Sequence, residues 1–319
     1  MISCALIGLG QIGFEYDLNR KSNVERLTHT TTILSMPELN LKFAIEIDSK
    51  KRKVFEAVTG ISCFESVSKL PGGILENGID LLVIASPAAV HLENVIEGLK
   101  LNPKAILLEK PLALDVLNAA EIIKIAAENS VKLFINYQRN YLPVFQQMRD
   151  LISSRQGFEE YSLVGWLQGD LLNSGSHLIA LVDCLFPTYL ENLISVDKFG
   201  MHFESFGRVL DLNLSKVDQL EASKFSLEIT TSKENFRYDS QLEAINVSYP
   251  GNDKVYAGQT SLQPPSERLQ TNEYDCLHFV YAEILKFLKK ESYYSYTGED
   301  ALFVMKFIQD LRGQSLGEL

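Results

Sequence analysis

Four groups of residues have types and spacings that could do chemistry. The first is Gly8-Leu9-Gly10-Gln11-Ile12-Gly13, directly after the apolar run Ile2-Ser3-Cys4-Ala5-Leu6-Ile7. A strand feeding such a turn can bind a dinucleotide. Gly8 permits the tight turn, Gly10 lets the backbone approach a pyrophosphate, and Gly13 lets the next helix pack against the strand. The backbone N–H groups of this loop, Gln11 and Ile12 included, then face the diphosphate. Three glycines at this spacing also occur in turns that bind nothing; the preceding strand favours the dinucleotide reading. The second group is Glu46 and Asp48, at the end of the strand-like run Leu41–Asp48. An acid there accepts the adenosine ribose hydroxyls and repels a 2'-phosphate, which favours NAD over NADP. Glu46 is the first choice, because Asp48 is equally suited to cap a helix starting near Ser49. Lys50, Lys51 and Arg52 could instead clamp a 2'-phosphate, so NADP stays open.

The third group is Lys110, which ends the apolar run Ala105–Leu108 after Glu109 and is held extended by Pro111. A lysine at the carboxyl end of a sheet strand can donate to a substrate hydroxyl, or act as a base where burial lowers its pKa. A surface lysine at a strand end is the plainer alternative. The fourth is Asn173 and His177, four residues apart and on one face if the chain is helical from about Leu172. A histidine so placed is either a proton carrier or a satisfied structural residue.

The elements that must position these residues alternate. Strands are predicted at Ile2–Ile7, 41–48, 60–64, Asp80–Ala85, Ala105–Leu108 and Val131–Ile135, with helices between them. Runs such as Leu81-Leu82-Val83-Ile84 are apolar throughout, as parallel strands covered on both faces are. The series reads as α/β, a doubly wound parallel sheet of Rossmann type. The polar stretch 14–26 is longer than a first crossover needs. Past Asn136 the pattern becomes period-two at 161–166, 194–199, 208–214, 225–230 and 241–249, predicting an α+β domain with a mostly antiparallel sheet and one solvated face. Residues 263–266 read as a mobile loop, and two helices close the chain. The expected domains are residues 1–137, dinucleotide-binding, and 138–319, for substrate and oligomerisation.

The chain of 319 residues carries 41 acidic and 30 basic residues, a formal charge of -11, which disfavours nucleic acid or an anionic membrane as partner. The four cysteines, Cys4, Cys63, Cys184 and Cys276, have no metal spacing and read as reduced core thiols, which suits the cytoplasm. No metal is expected. The start lacks a signal-peptide pattern, and no apolar run reaches the ~20 residues of a membrane span.

Together, Gly8–Gly13, the segment Ala85-Ser86-Pro87-Ala88-Ala89-Val90-His91, Glu109-Lys110-Pro111 and Asn173-Ser174-Gly175-Ser176-His177 resemble, in order and spacing, the Gfo/Idh/MocA oxidoreductases. The resemblance covers the first ~140 residues and the stretch around His177. It implies that Ser86, Pro87 and His91 lie by the cofactor and that Glu109 and Lys110 end the fifth strand beside it. The implied catalytic set is a lysine, an aspartate and a histidine four residues later. Lys110 and His177 match; Asn173 stands in the aspartate's place, and an amide can orient a partner but cannot take up a proton. Ala180 replaces a further common aspartate, and Asp170 and Asp183 lack the family spacing. Residues 136–143 resemble the family's passage into its second domain, so that Arg139 would face the substrate with Lys110, Asn173 and His177. The resemblance implies an NAD(P)-dependent oxidoreductase acting on a carbinol carbon of a sugar, sugar derivative or cyclitol, with copies assembling through the C-terminal sheet. The alternative is a catalytically inactive sugar- or dinucleotide-sensing regulator of the same fold, which the change at Asn173 favours.

Overall fold

The computed structural model describes residues 1–18, 26–154, 161–167, 172, 175–186, 193–197, 200–205, 208–213, 225–231, 233–271 and 275–313. Strands β1 (Ile2–Ile7), β2 (Leu39–Ile45), β3 (Cys63–Phe64), β4 (Leu81–Ile84), β5 (Ala105–Leu108) and β6 (Lys132–Ile135) form a parallel sheet in the order β3-β2-β1-β4-β5-β6. Every residue of β4 and β5 is buried, which is why these strands are apolar without alternation. Helices α1 (His29–Ser35), α2 (Ser49–Thr59), α3 (Gly72–Asn77), α4 (His91–Leu99) and α5 (Val116–Glu128) run between the strands. The order reverses between β1 and β4, and a doubly wound sheet binds its ligand beyond the carboxyl ends of the strands at such a reversal.

The first crossover carries one short helix among its described residues. His29–Ser35 is α-helical, started by the Thr28 side chain accepting from the Thr31 N–H. Before it, a 3-10 turn at Glu15–Asp17 places the Asp17 carboxylate to accept from the N–H groups of Leu27 and Thr28 and from the Thr31 hydroxyl. One carboxylate thus ties the 3-10 turn to the start of α1.

Beyond α6 (Pro143–Ser154), the described residues form a second sheet in the order β16-β13-β12-β11-β7-β10-β9-β8. Its strands are β7 (Tyr161–Leu167), β8 (Leu193–Asp197), β9 (Gly200–Ser205), β10 (Arg208–Asn213), β11 (Phe225–Thr231), β12 (Asn235–Asp239), β13 (Ala244–Ser248) and β16 (Glu267–Gln270). All neighbours are antiparallel except β7 and β10. A hairpin of β14 (Pro250–Asn252) and β15 (Thr260–Leu262) precedes β16. Leu227, Ile229, Phe236, Tyr238, Ile245 and Val247 are buried, whereas Thr230 and Arg237 on the other face are exposed, so the expected alternation holds. Helix α7 (Ser176–Leu185) is buried along most of its length, and Phe145 stacks edge-on to Tyr238 at 5.0 Å. The stretch 263–266 is tied down by hydrogen bonds from Gln263 N–H to the Tyr249 carbonyl and from Ser266 N–H to the Val247 carbonyl.

A single division at 137/138 is not what the contacts give. One compact unit is Met1–Tyr141 with Tyr274–Phe303; the other is Leu142–Glu273 with Val304–Leu319. Helix α8 (Cys276–Leu288) and the start of α9 (Gly298–Gly313) return to the first sheet because its last strand needs a cover. Phe134 packs on Phe287 and Tyr293, Ile135 N–H donates to the Tyr296 carbonyl, and Tyr296 N–H donates to the Tyr141 hydroxyl.

Candidate functional site

The glycine loop divides its three glycines by role. Gly8 has φ +95, and a Cβ there would stand 2.7 Å from the Ser86 nitrogen. A Cβ on Gly13 would collide with the Gly8 carbonyl oxygen. Both are therefore required by the fold. A Cβ on Gly10 would meet nothing within 4 Å. Among the described residues, the N–H groups of Gly10, Gln11, Ile12 and Gly13 donate to no acceptor of the chain. Open space over Gly10 beside backbone donors is what a diphosphate requires, so the loop fits the group that its spacing implies.

At the end of β2, the Glu46 carboxylate accepts from Leu9 N–H at 2.8 Å and from Asp48 N–H at 3.0 Å. Glu46 is thereby fixed against the loop. Asp48 instead caps α2, accepting from the Lys50 and Lys51 N–H groups, which hold its pKa below the ordinary aspartate value. Of the cations considered for a 2'-phosphate, Lys51 pairs with Glu15 at 3.0 Å and Arg52 donates to the carbonyls of Glu46 and Ile47. Lys50 is exposed.

A buried network joins the loop to Lys110. His29 donates its backbone N–H to the Ile12 carbonyl, and its ring, wholly buried, lies between Glu109 and Tyr281. Nε2 is 3.0 Å from Glu109 Oε1 and Nδ1 is 2.9 Å from the Tyr281 hydroxyl. Because a carboxylate only accepts, Nε2 carries the hydrogen. Glu109 Oε1 also accepts from Asn136 Nδ2, and Oε2 accepts from Lys110 N–H at 3.2 Å. Burial pushes the Glu109 pKa up, but His29, Asn136 and the Lys110 ammonium outweigh it and leave it below the ordinary carboxylate value. Burial, with the neighbouring Cys4 and Glu109, pushes the Tyr281 pKa well up, so its hydroxyl keeps its hydrogen. Glu109 is thus a buried carboxylate beside a half-buried lysine at the ligand end of the sheet.

The family model for oxidoreductases of the Gfo/Idh/MocA type, described as an NAD-binding Rossmann fold, matches residues 2–137. Residues 2–137 are thus similar to the NAD-binding Rossmann part of that family. Over 151 residues the chain is 27% identical to an inositol 2-dehydrogenase of Mycolicibacterium smegmatis, a match spanning 47% of this chain and 39% of that one. It is 24% identical over 270 residues to a glucose-6-phosphate 3-dehydrogenase of Bacillus subtilis, covering 72% of each. In fold it is similar to a super-repressor mutant of Gal80p from Saccharomyces cerevisiae, with TM-score 0.76 and 17% identity over 99% of this chain and 96% of that one. The structural likeness shows a shared fold, and the family model describes residues 2–137 as an NAD-binding Rossmann fold.

Two residues expected beside the cofactor, His91 and Glu109, have side chains that face into the fold. His91 is completely buried, with Nε2 2.9 Å from the Ser86 carbonyl and Nδ1 3.1 Å from the Leu112 carbonyl. Burial pushes its pKa down, and its ring ties two loops together from inside. Glu109 faces His29 and Asn136. Pro87 is exposed and Ser86 half-buried at the end of β4. Arg139 is half-buried in the 3-10 segment Gln138–Tyr141 of the first unit. His177 stands in the first turn of α7 in the second unit, half-buried. Its helix starts at Ser176, and Asn173 and Asp170 lie outside the described residues. His29, Asn136 and Tyr281 were missed. Asn136 follows β6 as Lys110 follows β5, so the strand-end rule could have flagged it; nothing local marks the other two.

Proposed function

We propose that this chain is an NAD(P)-dependent oxidoreductase acting on a carbinol carbon of a sugar, sugar derivative or cyclitol. The observation that carries the reading is the open, donor-lined Gly10 loop wired through His29 and Glu109 to Lys110 at the same end of the sheet. The names of both curated relatives, a cyclitol and a sugar-phosphate dehydrogenase, support the substrate class. The N–H groups of Gly10–Gly13 and the Glu46 carboxylate would hold the dinucleotide, and Glu46 would favour NAD over NADP. When bound, the nicotinamide supplies hydride exchange with the carbinol carbon. Lys110 donates a hydrogen bond to the developing alkoxide, and His177 takes or gives the hydroxyl proton. Asn173 orients.

NADH absorbance with a panel of sugars and cyclitols tests the reading. Turnover is expected on at least one, and His177→Ala and Lys110→Ala should each lower it by about 10²-fold with NADH affinity kept. Wild-type turnover in His177→Ala would remove that residue from the catalytic set. The second reading, a sugar- or dinucleotide-sensing regulator, is favoured by Asn173 in place of the family aspartate. Tight sugar or dinucleotide binding with no turnover on the whole panel would put it first.

A further inference from the structure

Asn94 belongs to none of the motifs, yet its Nδ2 donates to the Ser86 Oγ at 2.8 Å. From the same helix, His91 Nε2 lies 2.9 Å from the Ser86 carbonyl. Helix α4 therefore pins Ser86 at both backbone and side chain. Ser86 follows β4, and its nitrogen lies where a Cβ on Gly8 would come within 2.7 Å. It thus borders the crevice between the ends of β1 and β4, where the strand order reverses.

A hydroxyl has one hydrogen to give and two lone pairs to receive. With the Asn94 N–H on one lone pair, the Ser86 hydrogen points away from Asn94. We propose that Asn94 is a positioning residue for the dinucleotide: it holds the Ser86 hydroxyl as a donor aimed at an acceptor oxygen of the cofactor in the β1/β4 crevice. The inference rests on the dinucleotide reading of the glycine loop and is independent of hydride transfer. An aspartate at this position would only accept. It would draw the Ser86 O–H to itself and leave a lone pair facing the cofactor oxygen.

Nicotinamide fluorescence titration of the 319-residue chain with NADH, using Asn94→Asp, Ser86→Ala and the double variant, tests this without any substrate. Asn94→Asp is expected to weaken NADH binding about tenfold, the scale of one hydrogen bond turned from favourable to repulsive. Ser86→Ala should weaken it by a smaller factor, and the double variant should bind no worse than Ser86→Ala, because the aspartate then has no hydroxyl to capture. Wild-type affinity in Asn94→Asp would overturn the proposal. So would an equal penalty in the Ser86→Ala background, which would mean that the charge acts by itself. Should Asn94→Asp not melt near the wild type, Asn94→Ala decides: a loss of about threefold that vanishes in the Ser86→Ala background supports the proposal, and no loss overturns it. A wild-type protein that binds no NADH would overturn the dinucleotide reading itself, a result separate from any variant's.

Discussion

Glu109 shows what a single buried charge demands of its neighbours. Its carboxylate binds a proton less tightly in the folded chain than its ordinary value of 4.5 implies, because His29, Asn136 and Lys110 all favour the ionised form over the opposing effect of burial. A depressed folded pKa stabilises the fold above that ordinary value, and the contribution is lost as pH falls through the folded one. Glu109→Gln is therefore expected to cost about 2–4 kcal/mol near neutrality, since the amide loses the charge and sets its NH2 against the Lys110 N–H or, flipped, against the His29 and Asn136 donors. Below about pH 4 the gap to the wild type should narrow. Urea unfolding of both proteins across this range reads it, and a gap that does not change with pH would mean that Glu109 is not a depressed carboxylate. Glu46 and Asp48 separate in the same residue-by-residue way. Glu46→Gln should narrow the preference for NADH over NADPH in calorimetric titration, whereas Asp48→Ala should leave it unchanged and slightly lower the melting temperature through its lost cap. Stronger NADPH than NADH binding by the wild type would move the 2'-phosphate contact to Lys50, the cation here not engaged by Glu15 or by backbone carbonyls.

At the scale of elements, the turn between β1 and α1 keeps fold and function on different glycines. Gly10→Val should melt near the wild type, since its Cβ position is open, and should lose NADH binding by about tenfold or more, because the branched side chain fills the space the pyrophosphate needs and keeps it from the backbone donors. Gly13→Ala should instead cost about 2 kcal/mol or more, because the Gly8 backbone cannot move aside. Thermal melts with and without NADH distinguish the two; a destabilised Gly10→Val would mean that the loop is simply a tight turn. The first sheet was legible because strands covered on both faces are apolar throughout, as β4 and β5 are. In the second sheet β12 passed unread although Phe236 and Tyr238 alternate with polar neighbours, since five residues with three polar ones carry little periodic signal. His91 misled for a related reason. Sequence places a histidine near Ser86-Pro87, but only packing reveals that both ring nitrogens point into the fold.

Over the whole molecule, the feature least visible in the sequence is the chain's return to its first unit. The apolar spacing of α8 says that Cys276, Leu277, Val280, Tyr281, Ile284 and Leu285 are buried, but not against what. The partners are far away in the chain: Tyr281 meets His29, Phe287 meets Phe134, and Tyr296 bonds to Ile135 and Tyr141. Residues 1–141 alone would expose the faces of Phe134, Tyr137 and Tyr141 and leave His29 without its hydroxyl partner. Burying one such aromatic contributes about 1.5–3 kcal/mol, so losing several consumes most of the ~5–15 kcal/mol that holds a domain together. A fragment of residues 1–141 is therefore expected to show no cooperative thermal transition and no NADH binding. The same fragment joined by a flexible Gly/Ser linker to residues 274–303 should recover both. Circular dichroism melts and NADH fluorescence on the two fragments decide the matter: if residues 1–141 fold and bind NADH alone, the C-terminal helix is an accessory to the dinucleotide-binding unit, and the division expected at 137/138 is restored.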